Sequence, residues 1–364
     1  MMKDLKAEYE LLRLGEHTLL LQGRQNLLLY VPDGQAAYLI DSGDSPACGY
    51  AVHELLRKEG LQLKAIFNTH SHCDHMGGNA VLQKLYGCEC YATAEERPFM
   101  EIPMLEPSFL YGGRPPRREL ERFEGVNCLK VCRMPEEEIQ PSLQSVLAAE
   151  PASAPAAGHE PEPAAEAVSG VEPEPAAESG PAPGAEPEPA AESGPAVHRV
   201  LPPGLTAFHL PGHSPGQIGF FTQDKVCFLA DAVVDADMLD RLPLSYTFDY
   251  AVQHRTLREL EQLDRTDLWY AFAHAAPCRD VRILAARNRQ AMEAVAALVL
   301  NICREGRNSE QILGEVFRHY GISPGFRRYT ALGSTLRAYL TGLCEKGRLR
   351  YRMEDGCLLW EKAE

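Results

Sequence analysis

Residues 68–79 read NTHSHCDHMGGN, and they place His70, His72, Asp74 and His75 within six positions. Few chains can accommodate that crowding. The apolar run "LKAIFNTH" ahead of it reads as a buried strand, and "NAVLQKLYG" behind it reads as a helix closed by Gly87. The cluster therefore lies on a strand-to-helix turn. His70 and His72 are two residues apart and share one side of extended backbone, while Asp74 and His75 fall where the chain turns into the helix. This spacing suits two adjacent metal sites better than one. It differs from an H-E-x-x-H site, in which both histidines lie on one helical face.

Such a cluster is one wall of a site and needs ligands from elsewhere. Three candidates stand where apolar runs end: His213 in "HLPGHSPGQ", Asp231 in "VCFLADA" and His274 in "LWYAFAHAAP". In open α/β architectures functional groups collect at the carboxyl ends of strands, and all three follow that rule. Imidazole and carboxylate donors suit zinc, with iron or manganese as alternatives.

The remaining pattern is α/β. "HTLLLQ", "NLLLYV" and "AAYLIDSG" read as strands and "AVHELLRKEG" as a helix. "LTAFHL", "IGFFTQ", "KVCFLAD" and "DLWYAFAH" are later strand candidates, with a helix at "YAVQHRTLRELEQL". Strands and helices on both sides of a central insert predict one α/β domain, interrupted: 1–139 and 199–304. The insert, 140–198, repeats "EPEPAAE" three times and lacks the apolar surface to offset chain entropy, which predicts a disordered tether. The insert and the three Glu just before it explain most of the charge. Of the formal net −15, thirteen units come from Glu in residues 136–198, leaving about −2 for the rest. The acidity is thus no guide to the substrate.

A helix at 281–303 precedes a C-terminal module, 305–364. That module holds helices at 309–320 and about 329–346, then "RLRYRM", the turn residues Asp355 and Gly356, and "CLLWEK" as a hairpin. Helices followed by a hairpin predict a winged-helix-like module. With nine Lys/Arg against seven Asp/Glu in residues 309–364, phosphate binding is disfavoured, although Arg348, Arg350 and Arg352 alternate along one strand. A homodimer through this module is the expected alternative use. Eleven scattered cysteines, an odd count in a long chain, fit reduced thiols better than a disulfide framework. No apolar stretch is long enough for a membrane span, and the charged start "MMKDLKAEYE" has no signal core. The expected location is the cytoplasm.

H-x-H-x-D-H at 70–75, the later "PGHS" histidine, the Asp of "FLAD" and the final His274 together resemble the metallo-β-lactamase-fold hydrolase superfamily. Finer texture ("LEPSFLYGG", "GSTLRAYL") resembles a poorly characterised bacterial branch. The resemblance implies an αββα sandwich of two mixed sheets between helices. It implies that His70, His72 and His213 hold one metal, that Asp74, His75 and His274 hold a second, and that Asp231 bridges them. Asp41 matches the superfamily's supporting aspartate. It further implies a hydrolase in which a hydroxide shared by the metals attacks an ester, thioester, lactone or related bond, with Asp74 orienting it. The stretch 101–116 is expected to wall a pocket for a small-molecule substrate, with Tyr111 as a contact. A mononuclear-iron, persulfide-dioxygenase-like oxidoreductase and a nucleic-acid-processing or regulatory protein are the competing expectations. A flavodiiron protein is disfavoured, because His72 stands where that group has Glu and the tail is too short for a flavodoxin domain.

Overall fold

The computed structural model describes residues 9–123, 126, 128–149 and 199–363. The "EPEPAAE" repeats lie outside the described residues. Two sheets form the centre. The first holds seven strands in spatial order equal to chain order: β1 (Glu10–Arg13), β2 (Thr18–Gln22), β3 (Leu27–Tyr30), β4 (Ala36–Ile40), β5 (Gln62–Phe67), β6 (Glu89–Ala92) and β7 (Cys132–Arg133). β1 to β4 form an antiparallel meander, and β4 to β7 run parallel. The second holds β8 (Ile139–Gln140), β9 (Leu205–His209), β10 (Ile218–Thr222), β11 (Val226–Phe228) and β12 (Trp269–Ala271) in the order β12-β11-β10-β9-β8, again mixed.

The unbroken leucine runs have a simple cause: both faces of the strands are covered. Leu20, Leu28, Ile40 and Phe67 point between the sheets, where they meet Ala207, Phe220 and Phe228. Their neighbours Leu21, Leu29, Leu39 and Ile66 point outward onto Val52 and Leu56 of α1 (Pro46–Glu59) and Leu82 of α3 (Asn79–Tyr86), beyond the single turn α2 (Cys73–Met76). The αββα sandwich is therefore the observed fold. α1 and α3 end on Gly60 and Gly87 with φ of 69° and 64°, a left-handed geometry that glycine adopts without strain.

Residues 101–116, the stretch expected to wall a pocket, are largely helical. They contain the end of α4 (Arg97–Glu101) and all of α5 (Leu105–Tyr111), and α6 (Arg117–Leu120) follows. The insert also begins later than expected. Residues 139–140 form β8 beside β9, and α7 (Leu143–Ala149) buries Leu143 and Val146 in the core. Seven residues flanked by polar neighbours carry too short a pattern to register as a helix, yet two buried aliphatics are enough to dock one.

Over the outer face of the second sheet lie α8 (Ala236–Arg241), α9 (Tyr250–Glu261), α10 (Arg282–Ile302), α11 (Ser309–His319) and α12 (Phe326–Glu345). The hairpin β13 (Leu349–Glu354) and β14 (Cys357–Lys362) turns at Asp355 and Gly356, both with positive φ, as its Asp-Gly requires. These C-terminal elements are not set apart from the sandwich. Ile312, Val316, Leu336 and Leu340 share one core with Phe208, Leu229 and Leu257. Arg307 pairs with Trp360 through two backbone hydrogen bonds of 3.0 and 2.8 Å, tying the hairpin back to the start of α11. Arg350 and Arg352 both bond Glu361 across the hairpin, at 2.7 and 3.2 Å. All eleven cysteines are free thiols. Among the described residues, no helix is long and apolar enough to cross a membrane.

Candidate metal centre

Five chain segments deliver the site. His70 and His72 follow β5, Asp74 and His75 lie in α2, His213 lies in the β9–β10 turn, and Asp231 and His274 follow β11 and β12. β11 and β12 are parallel neighbours, so their carboxyl ends bring Asp231 and His274 to the same rim. Two backbone positions there are strained. Asp41 has φ 61° and Ala230, just before Asp231, has φ 46°. Non-glycine residues hold such angles only where the surroundings enforce them.

The seven side chains converge in two overlapping groups. His70 Nε2 lies 2.9 Å from His72 Nδ1, and His213 Nε2 lies 3.0 Å from the same atom. Asp74, His75 and His274 form the other group, with His274 Nε2 3.5 Å from Asp74 Oδ2. Asp231 stands between them: Oδ1 is 3.4 Å from His75 Nε2, and Oδ2 is 3.4 Å from His213 Nε2 and 3.5 Å from His274 Nε2.

This donor set fits divalent cations. Three imidazole nitrogens meet at one point, where one proton cannot satisfy every facing lone pair. His75 Nε2 and Asp231 Oδ1 are buried without a hydrogen-bond partner, and such orphans in a native site call for an ion or water. The electrostatics agree. Burial, helped by mutual repulsion with His75 and His72, keeps His70 well below the ordinary imidazole range. Burial holds His72 down to about 4 and His213 down to about 3, against the pull of the nearby carboxylates. These three present neutral nitrogens at neutral pH, the form a metal binds. Burial opposes charge on His75 and His274 too, but Asp231 outweighs it in both, joined by Asp41 at His75 and by Asp74 at His274, and raises both. Burial likewise opposes ionisation of Asp231, yet His274, His75 and His213 hold it well below the carboxylate range.

Asp41 sits where a supporting group should. Fully buried, it accepts bonds from Thr69 N and Thr69 Oγ1, each 2.8 Å, and lies 2.8 Å from His75 Nδ1. Fixing Nδ1 turns Nε2 toward Asp231, the usual arrangement behind a histidine that ligates metal. Tyr111, by contrast, is exposed, and its ring lies 5.2 Å from that of Phe326 in α12. The aromatic group beside the histidines is Tyr246, with its ring 4.8 Å from His72 and 5.3 Å from His213. Its hydroxyl hydrogen-bonds with Ser334 of α12, and the adjacent Thr247 N donates to Thr335 Oγ1 at 3.3 Å. Sequence reasoning missed Tyr246, because "PLSYTFD" has no motif and α12 follows about eighty residues later. His209 pairs with Glu136 at 2.9 Å, away from the cluster's own contacts. Cys73 N donates to Glu106 Oε2 at 3.0 Å, which pins α5 beside His72.

Comparison with known proteins agrees with this geometry. The Metallo-beta-lactamase superfamily model matches residues 21–271. A hydroxyacylglutathione hydrolase of Rippkaea orientalis is 46% identical over 71 residues, 19% of this chain and 26% of that protein. An acyl-coenzyme A thioesterase of Gallus gallus is 44% identical over 57 residues, 15% of this chain and 21% of its own length. The matched region thus spans about a quarter of the curated relatives. Among solved structures, a beta-lactamase domain protein from Burkholderia ambifaria superposes with a TM-score of 0.62 at 17% identity, covering 100% of this chain and 99% of the other. A metallo-beta-lactamase family protein from Thermus thermophilus gives 0.57 at 18% identity, covering 98% of each. Fold, ligand-type residues and family model coincide, and the chain belongs to the metallo-beta-lactamase superfamily.

Proposed function

We propose that the protein is a binuclear zinc hydrolase that cleaves thioesters or closely related acyl bonds. The observation that carries this reading is Asp231, shared at 3.4–3.5 Å between the two histidine groups. His70, His72 and His213 would hold the first cation, Asp74, His75 and His274 the second, and Asp231 both. Cations bound there supply Lewis-acid activation of water and polarisation of the acyl carbonyl. The protein's own groups do the rest. The Asp74 side chain is 41% exposed, the most open of the three acidic side chains at the site, and is positioned to orient the attacking water by accepting a hydrogen bond from it. Tyr246 covers the first group and limits access from that side.

Apolar side chains border this region. Phe109 of α5 and Phe248 are exposed, with rings 6.1 Å apart. Phe248 N donates to the carbonyls of Gly212 and His213, at 3.0 and 3.2 Å, so this aromatic pair is fixed to a ligand-bearing turn. An apolar rim suits the acyl part of a substrate. The relatives point the same way, being named for acyl groups carried on glutathione and on coenzyme A. Zinc-loaded protein should hydrolyse some members of a panel of acyl thioesters, esters and lactones. A chelator should abolish the activity, zinc should restore it, and His72→Ala should lack it. A protein holding two zinc ions and cleaving none of the panel would overturn the proposal.

A further inference from the structure

Glu96 is a buried carboxylate that the catalytic reading leaves unused. It follows β6, at the entrance to α4, and is only 1% exposed. Its two oxygens take four donors from two different segments. Oε2 accepts from Ser71 N, at 3.0 Å, and from Ser71 Oγ. Oε1 accepts from Ser214 Oγ at 2.7 Å and from Gly216 N at 2.8 Å. Ser71 separates His70 from His72, and Ser214 follows His213. One carboxylate therefore ties together both segments that supply the three-histidine group, one from each sheet.

The neighbourhood is built around this contact. Thr93 Oγ1 donates to Gly216 O at 3.0 Å. A Cβ on Gly216 would lie 2.4 Å from Thr93 Oγ1 and 2.8 Å from Glu95 Cβ, so only glycine allows the turn to approach. Ile218 N bonds Thr69 O at 3.0 Å, a second stitch between the same two segments.

A fully buried carboxylate is costly to keep ionised without compensation. Four hydrogen bonds supply part of it, but among the described residues Glu96 has no ion pair with Lys, Arg or His. The segments it embraces carry three converging imidazoles, and a divalent cation held by them would bring positive charge to this region.

We infer that Glu96 is a positioning residue for the first metal pocket: it locks the Ser71 and Ser214 segments in register and adds a buried negative charge that favours a divalent cation there. The inference rests on the proposed metal centre. Partners that orient metal ligands are worth about 10- to 100-fold in affinity. The test is zinc affinity, measured by competition against a chromophoric chelator, for wild type, Glu96→Gln and Ser214→Ala, with thermal unfolding of each metal-free protein beside it. Glu96→Gln keeps the size but removes the charge and turns one acceptor into a donor. It should weaken the tighter of two zinc sites by about tenfold or more and change the ligand-field spectrum of the cobalt-substituted protein. Ser214→Ala keeps the charge, removes one of four donors, and should weaken the site less. If Glu96→Gln does not fold, Ser214→Ala alone decides: unchanged zinc affinity and cobalt spectrum would overturn the inference. So would a folded Glu96→Gln protein with unchanged zinc affinity, whatever its melting temperature. Wild type that binds no zinc would instead remove the metal centre itself, a distinguishable failure.

Discussion

The two halves of the metal centre differ in how the fold treats them. The group of His70, His72 and His213 is the more enclosed, with His70 and His213 buried and His72 partly so; burial lowers the pKa of all three imidazoles, Glu96 clamps their loops and Tyr246 covers them. The group of Asp74, His75 and His274 is charged and more open: the Asp74 side chain is 41% exposed and that of His274 18%. His75 belongs to the second group yet is fully buried, held by Asp41 on one side and facing Asp231 on the other. A site closed on one side and open on the other suits a division of labour. In the proposed binuclear enzyme the enclosed half would retain its ion, and the open half would exchange ion, water and substrate.

The largest effect should come from the residue the halves share. Asp231→Asn should reduce bound zinc from two ions to one and lower hydrolysis by about a hundredfold or more, because the shared carboxylate fixes both halves. Asp235→Asn is the control: Asp235 accepts from Asp237 N at 2.7 Å and caps α8, so its variant should retain both ions. Two zinc ions and full activity in Asp231→Asn would break the comparison at its centre. Next, graded chelation followed by metal analysis should pass through a species with one ion per chain, and Asp74→Ala should resemble that species. Simultaneous loss of both ions would show that the halves are not unequal.

Smaller effects separate the cover from the pockets. Tyr246→Phe removes one hydrogen bond to α12 and should cost roughly 0.5–1.5 kcal/mol of stability with zinc content unchanged, read by denaturant unfolding and metal analysis. Loss of the enclosed ion in that variant would make Tyr246 part of the pocket. The smallest effect is expected from replacing residues 150–198 with a short Gly/Ser bridge. None of the seven ligand candidates lies in that segment, and loop-closure entropy changes slowly with length. The melting temperature and zinc content should stay near wild type. Starting the deletion at 142 should instead destabilise the protein, because it also removes the buried Leu143 and Val146.

What the sequence by itself determined is the sandwich and the set of candidate ligands that it brings together. His70, His72, Asp74 and His75 are close in the chain, so their grouping is a matter of local geometry. His213, Asp231 and His274 were legible because each follows an apolar run, and strand ends are where such groups collect. The hairpin was legible because Asp355-Gly356 needs positive φ at both residues, a constraint written in two letters. Tertiary structure alone decided the rest. Glu96 looks like any acidic residue before a short helix until two segments from different sheets fold onto it. Tyr246 gains its place only because α12 packs against the segment that carries it. Tyr111, chosen from its aromatic surroundings, lies with its ring tilted against Phe326 of α12, and α7 escaped notice because two buried aliphatics in seven residues make no periodic signal. The C-terminal helices read as a separate module because their own stripes are complete, whereas they share a core with the second sheet. In each case the deciding partner lies far away in the chain, and side-chain chemistry that depends on such a partner leaves no local trace.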